Sequence, residues 1–515
     1  MTDSNVRAEV SQVLSLVPTN QQEFSQGQKC IIDIPANIGY FKAGSAGSYL
    51  ALDILNDSAD KVRWMTAGSA HTLISQVDIF TGSGAGGILL ESLTNYAQIS
   101  QIIDLYTHND YTPLESKEGM RRPAEPYEGT ALRSTGSVRL IDVGDAEKQA
   151  VNGQFSPIDI SGIAKYTSRR VCLALKSGIF NYFDSEKLVP NGAMSGIRME
   201  ITFSQNDECL AAIAGTQDGT VKGLYGTGLV SAAALVGATT LTVTDTTIAT
   251  CGLAVGNQIT VTDAVPVTAD RTITALAQNG ADVDITVAAL PALGAGVVKL
   301  KADSLPSFKI TKAEYRCMEI VPPTSMMIKG AFKYMFRTWK HFIDTIPSSS
   351  RKHVVELQTV ASRAKAIMSM FVDASLVSDP DMPRFMTGAN ADGLNMNSVV
   401  YYIGNKLYPL RSYDPRSKRD RVLTQNEVVK AISSTGRMPL SLGSSKSHDL
   451  DCYSSIFLVA RALAERDGFS FPLKDKEPQI RLGFSAARAF NTRVHTFIFE
   501  ENVVVADSSG LRVEY

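Results

Sequence analysis

Cysteine is scarce in this 515-residue chain and never paired in sequence. The six cysteines (Cys30, Cys172, Cys209, Cys251, Cys317 and Cys452) form no C-x-x-C motif, so neither a zinc ribbon nor a thioredoxin-like site is signalled. They read as free thiols of a protein made in a reducing compartment, with Cys317 and Cys452 in apolar, core-like surroundings. The six histidines are equally scattered. Neither sign of charge is in excess. Fifty Lys and Arg against 52 Asp and Glu leave a net charge of −2, which argues against a generalised polyanion-binding surface and against sequence-specific nucleic-acid binding. No apolar run is long enough to cross a bilayer, and the first residues carry no secretory core.

What is present is a large apolar fraction, 44%, with 20% charged residues, enough for sizeable cores and too little charge for global disorder. The length exceeds one ordinary core, so two or three domains are expected. Strand patterns dominate. "KCIIDIPA", "YLALDIL", "KVRWMTA" and "TLISQVDIF" are short, apolar and bounded by turn residues, and "GSVRLIDV", "FSPIDI", "RRVCLALK" and "GIRMEITFS" continue the series. Between them "ILLESLTNYAQISQIIDLY" (Ile88 to Tyr106) reads as one helix. Near the start, Val6, Val10, Val13 and Leu14 stand at helical spacing and predict a short amphipathic helix, packed on a neighbour or facing a membrane.

From Gly226 to Pro306 there is no Phe, Tyr or Trp. Thr–Val alternation in "ATTLTVTDTT", "GNQITVTDAV", "RTITALAQ", "ADVDITVAAL" and "AGVVKLKA" predicts half-buried strands, with a turn at "QNGAD". A separate small β-domain is expected there, interrupting the segment from "GAMSGIRMEITFSQ" to "SFKITKAEYRCMEIVPP". Such an insertion is energetically mild, because loop-closure cost grows only logarithmically with length. The third part brings the strands "FKYMFRTWKHFIDTIP", "HVVELQTV", "AKAIMSMFVDA" and "SVVYYIGNKLYPL", the last read as one strand. A helix, "TQNEVVKAISST", then "SIFLVARAL" and a closing hairpin, "RVHTFIFEENVVVADSSGLRVEY", follow. The basic cluster "RSKRDR" (Arg416 to Arg421) reads as a solvated loop. The first and third parts share a layout without shared sequence identity.

Candidate chemical sites are few. Gly82, Gly84 and Gly87 spell G-x-G-x-x-G, and Asp104 falls near the position of a ribose-binding acid, which would suggest a nucleotide-dependent oxidoreductase. A Rossmann unit needs alternating strands and helices, however, and three strand patterns precede this motif without a helix. A loop carrying the chain off a sandwich edge into a covering helix is the preferred reading. No G-x-S-x-G, H-E-x-x-H or P-loop motif occurs. His341 with Asp344 makes at most half a dyad. "DPDMPRF" and "NADG" lack calcium-loop spacing and fit turns. Tyr334, Phe336, Trp339 and Phe342 are candidates for buried subunit contacts or for sandwich core.

On "KLVPNGAMSGIRMEITFS", "FKITKAEYRCMEIVPP", "ASRAKAIMSMFVDA" with "VVYYIGNKLYPL", the closing hairpin and "DIFTGSGAGGILLESLTNYAQISQII", the chain resembles the double jelly-roll major capsid proteins of the adenovirus and membrane-containing icosahedral virus lineage. The resemblance implies an all-β protein of two consecutive eight-stranded jelly rolls with a few covering helices, plus an inserted small β-sandwich-like domain. Its expected parts are an N-terminal arm (1–27), a first roll (28–217 and 304–325), an insert (218–303) forming an outer turret, and a second roll (326–515). It implies a structural virion protein without catalytic residues, cofactor or metal, synthesised in the host cytoplasm. Such a protein forms a pseudo-hexagonal homotrimer that tiles icosahedral facets. Its implied partners are its own copies, neighbouring capsomers, penton and minor capsid proteins, an internal membrane through the arm and a host surface through the insert. The alternatives are a carbohydrate-binding or adhesive β-protein and the oxidoreductase suggested by Gly82 to Gly87.

Overall fold

A computed structural model describes residues 9–44, 47–58, 61–64, 69–82, 86–107, 162–163, 168–183, 187–213, 229–244, 255, 258–263, 268–300, 307–321, 330–359, 361–374, 394–436, 458–464, 470–488, 491–507 and 510–514. In chain order the principal elements begin with β1 (Glu9–Leu16), β2 (Lys29–Ile34), β3 (Tyr49–Asn56), β4 (Ile74–Thr81), β5 (Leu89–Thr94), α1 (Tyr96–Thr107), β6 (Ser168–Leu173) and β7 (Ile197–Phe203). Seven short strands follow: β8 (Leu229–Ser231), β9 (Thr240–Val243), β10 (Gln258–Asp263), β11 (Thr268–Thr272), β12 (Ala275–Asn279), β13 (Asp282–Thr286) and β14 (Gly296–Leu300). After the long β15 (Phe308–Val321) come β16 (Phe332–Ile346), β17 (Lys352–Glu356), β18 (Ala364–Asp373), β19 (Met396–Ile403) and β20 (Lys406–Tyr413). The chain closes with α2 (Lys418–Ser434), β21 (Leu458–Ala462), β22 (Gln479–Phe484), β23 (Thr492–Asp507) and β24 (Gly510–Glu514).

Strand order repeats between the halves. In the first, β1, β15, β3 and β6 lie side by side, and β2, β7, β4 and β5 form a second sheet. In the second, the sheets are β16, β23, β18, β21 and β17, β22, β19, β20. Numbered one to eight within its half, each set reads 1-8-3-6 and 2-7-4-5, all antiparallel. Two such sheets make a jelly roll. The fold is therefore all-β with two consecutive eight-stranded rolls. Both α1 and α2 fall in the link between strands five and six of their roll. The seven short strands interrupt the link between strands seven and eight of the first roll. They pair only with one another, as one antiparallel sheet in the order β11-β10-β14-β8-β9-β13-β12. Because strand direction alternates, the links 1–2, 3–4, 5–6 and 7–8 all leave from one end of a roll.

Side-chain periodicity explains the sheets. Cys30, Ile32 and Ile34 of β2 and Ile197, Met199, Ile201 and Phe203 of β7 are buried, while the residues between them are exposed or half-buried. A period of two gives each strand one apolar face. These residues share a core with Leu50, Leu52 and Ile54 of β3 and Ile310 and Tyr315 of β15. The second roll has its own core, including Phe371, Val399, Tyr401, Ile480 and Ile498. The small sheet is filled by Leu241, Val243, Ile259, Val261, Val283 and Ile285 and needs no ring.

Several local expectations are corrected. The N-terminal segment is a strand, not a helix. Residues 9–16 pair with Tyr315–Val321, because the edge of β15 offers unpaired backbone groups that an extended segment satisfies. Leu14 and Leu16 then pack against the core and Val13 faces out. Residues 9–25, set apart as an arm in the sequence reading, thus supply the first strand of the sheet, with Phe24 and Ser25 also on β15. The helix expected over Ile88–Tyr106 begins only at Tyr96. Leu89–Thr94 is strand β5, and Asn95, at φ 52°, makes the turn into the helix. Left-handed backbone suits Asn better than most residues. "SVVYYIGNKLYPL" is a hairpin, β19 and β20, turning at Gly404 and Asn405, both with positive φ. "RTITALAQ" is split between β11 and β12. "RSKRDR" is not wholly a loop, since α2 starts at Lys418. "GSVRLIDV", "FSPIDI", "DPDMPRF", "NADG" and Cys452 lie outside the described residues.

Candidate functional surface at the seam of the two rolls

The glycine motif closes a hairpin. β4 and β5 pair antiparallel, Val77 opposite Leu93 and Phe80 opposite Leu89. A dinucleotide site needs a parallel β-α-β unit with its phosphate loop at a helix N-terminus. Here Gly82 and Gly87 border the link between two antiparallel strands, Gly84 lying outside the described residues, so the Rossmann reading of the motif is overturned. Gly87 has a packing reason to be glycine: a Cβ there would lie 1.7 Å from the Thr81 carbonyl oxygen. The loop is pinned by Thr81 N–H donating to the Ile88 carbonyl at 2.9 Å and Gly82 N–H to the Gly196 carbonyl at 2.8 Å.

Strand β16 presents Tyr334, Phe336 and Trp339 to the first roll. All three are buried in a core continuous with that roll's own, while Phe342 packs partly buried on the opposite core. Trp339, 1% exposed, stands 6.4 Å from Tyr96, 6.3 Å edge-on from Phe183 and 5.9 Å from Phe499. The Tyr334 hydroxyl donates to the Ile179 carbonyl at 2.9 Å, and Asn181 Oδ1 lies 2.7 Å from it. At Gly178 the two backbones nearly touch, since a Cβ would fall 1.9 Å from the Arg337 carbonyl oxygen. The aromatics therefore join the two rolls of one chain. Apolar side chains left exposed on these strands are Met335 and Ile343 of β16 and Val354 of β17. Sequence reasoning missed them because a lone Val or Ile in a strand carries no burial signal.

Some buried polar groups of the seam have partners, whereas Trp339 Nε1 has none among the described residues. Glu91 of β5 is buried and accepts hydrogen bonds from Gly178 N–H at 3.0 Å, Ile179 N–H at 3.2 Å and the Ser177 hydroxyl. Burial pushes its carboxyl above the ordinary value, and these donors oppose the shift. Lys365, also buried, lies 3.3 Å from Glu501. A cleft of about 570 Å³ opens beside them, between Asn181 and Phe183 of the first roll and Lys333, Met335, Arg337 and Glu501 of the second.

His341 and Asp344 do not make a dyad. Three residues apart on a strand, they point to opposite faces. Asp344 bonds His353 at 2.8 Å. His341 instead meets His495 edge to edge, ring centroids 5.2 Å apart and planes at 18°, with Nε2 and Nδ1 separated by 3.1 Å. Asn95 reaches both from the first roll, at 2.8 and 3.0 Å. Burial lowers His341 to about 4 and His495 to about 3, the latter helped by the charge of His341 and Arg493. Cys317 is buried and desolvation pushes its thiol up to about 12, which fits a core role. Among the described residues no three His, Cys, Asp or Glu side chains converge on a metal-sized site, and no helix is long and apolar enough to cross a membrane.

No family model and no curated protein matches the chain. Solved structures do. The capsid of the virus PBCV-1 matches with a TM-score of 0.50 at 9% identity, over 100% of this chain and 98% of that one. The Sputnik virophage structure gives 0.50 at 10% identity over 100% and 90%, and the Faustovirus major capsid protein 0.50 at 8% over 98% and 92%. At such low identity the likeness speaks to the fold, and the chain has the double jelly-roll fold of these viral coats.

Proposed function

We propose that this chain, a double jelly roll, is a major capsid protein that assembles as a pseudo-hexagonal homotrimer and tiles the facets of an icosahedral virion. The observation that carries the reading is the repeated strand order, 1-8-3-6 over 2-7-4-5, twice in one chain around a shared seam. Two equal rolls per subunit give a threefold ring six similar sides, so one gene product fills sixfold positions. The likeness to the PBCV-1 and Faustovirus coats supports it across almost the whole chain.

The parts then take roles. The first roll is built from strands between residues 9 and 321, the insert spans 229–300 and the second roll spans 330–514. The insert stands outward as a turret toward the host surface, which is supported by its place in a link at the long-loop end of the roll. The first residues face inward, toward a membrane or minor capsid proteins. Penton and neighbouring capsomers meet the outer strands, where Ile343 and Val354 are exposed. The role is structural, not enzymatic, and its site is the virion. Light scattering on the purified protein tests the reading. A mass near three times 55.5 kDa supports it, and a monomer at working concentration contradicts it.

A further inference from the structure

The cluster of Asn95, His341 and His495 is not explained by packing alone. Its three polar atoms form a triangle with sides of 2.8, 3.0 and 3.1 Å. Hydrogen bonding cannot satisfy all three sides. A neutral imidazole nitrogen either carries a proton or offers a lone pair, never both. If the Asn95 amide group donates to both rings, the two ring nitrogens face each other lone pair to lone pair. If one ring donates to the other, it meets the amide donor to donor. Turning the amide so that Oδ1 faces inward leaves either two acceptors or two donors opposed. An odd ring of contacts always has one repulsive side, whichever tautomers are chosen.

A cation at the centre removes the conflict, because all three groups can then turn lone pairs inward. We propose that Asn95 Oδ1, His341 Nε2 and His495 Nδ1 bind a divalent transition-metal ion of the zinc class at the seam between the rolls. Two imidazoles suit such an ion better than calcium or magnesium, which take oxygen ligands. Ligands about 2.0 Å from a tetrahedral ion stand roughly 3.3 Å apart, so the triangle opens by a few tenths of an ångström on binding. Water completes the shell from the side where Asn95 and His341 are only half-buried. The left-handed backbone of Asn95 aims its side chain across the seam, so the ion ties strand five of the first roll to strands one and eight of the second.

The test is titration of the chelator-treated full chain with cobalt(II), read by its visible absorption, with magnesium as control. One ion per chain with the intense bands of a low-coordinate site is expected. His341→Phe, which removes one ligand nitrogen, should abolish the bands, and His353→Gln should leave them unchanged. Asn95→Asp tolerates the same backbone and should bring the bands to lower cobalt concentration, a gain that a folding defect cannot mimic. Absent bands in the parent chain, bands that survive His341→Phe, or Asn95→Asp binding no tighter than the parent would each overturn the proposal.

Discussion

The two rolls share a topology but bury their sheets differently. In the first roll, β2 and β7 alternate strictly between buried and accessible residues. The β15 sheet carries an ion cluster, with the partly exposed Arg170 and Arg316 at 2.6 and 2.7 Å from the buried Glu314. In the second roll, strands β23, β18 and β21 of the β16 sheet are covered on both faces. One side belongs to its own core and the other to the seam: Ile367 and Ile498 face the former, Met368 and Phe499 the latter. These three strands therefore read as nearly continuous buried runs, the pattern usual for sheets covered on both sides, while the edge strand β16 does not. The rolls are therefore not two beads on a string. One sheet of the second roll serves as the wall they share.

The shared wall depends most on Trp339, which the seam buries and a free-standing second roll would expose. Trp339→Ala should cost about 3–5 kcal/mol, read from the denaturant midpoint. Phe342→Ala, on the other face and only half-buried, should cost less. Glu91→Gln should cost about 1–3 kcal/mol, because the amide turns a donor toward Ser177, Gly178 or Ile179. Acid sharpens the contrast further. His341 and His495 titrate at about 4 and about 3 when folded, below the ordinary 6.5, so the unfolded chain takes up protons first. With chelator present, the thermal midpoint should be flat above about pH 6.5 and fall as pH drops toward 4. His341→Phe should flatten part of that slope. The smallest effect belongs to the insert. Replacing residues 229–300 by a short Gly-Ser link should shift the rolls' stability by no more than about 1 kcal/mol.

How legible the fold was depended on what each segment packs against. Strands such as β2, β4 and β7 announced themselves as short apolar runs bounded by turn residues. The aromatic-free span from Gly226 to Pro306 correctly marked strands whose core is Val, Ile and Leu. The misreadings share a cause, which is that a partner distant in sequence decided the conformation. Val10, Val13 and Leu14 fit a helix until the edge of β15 claims the segment. Ile88 to Thr94 fits the following helix until β4 pairs with it. The seam was harder still. Nothing local links Asn95 with His341 and His495, 246 and 400 residues away, or Gly178 with the Arg337 carbonyl. The one readable hint was "FKYMFRTWKHF", whose aromatic density predicted burial without saying against what.

The central claim is that twin rolls let three copies imitate sixfold packing, and an image of the purified oligomer tests it most directly. Negative-stain averages should show a hexagonal outline with three towers, one per insert. A twofold particle, or a threefold one with a triangular outline and no towers, would contradict it.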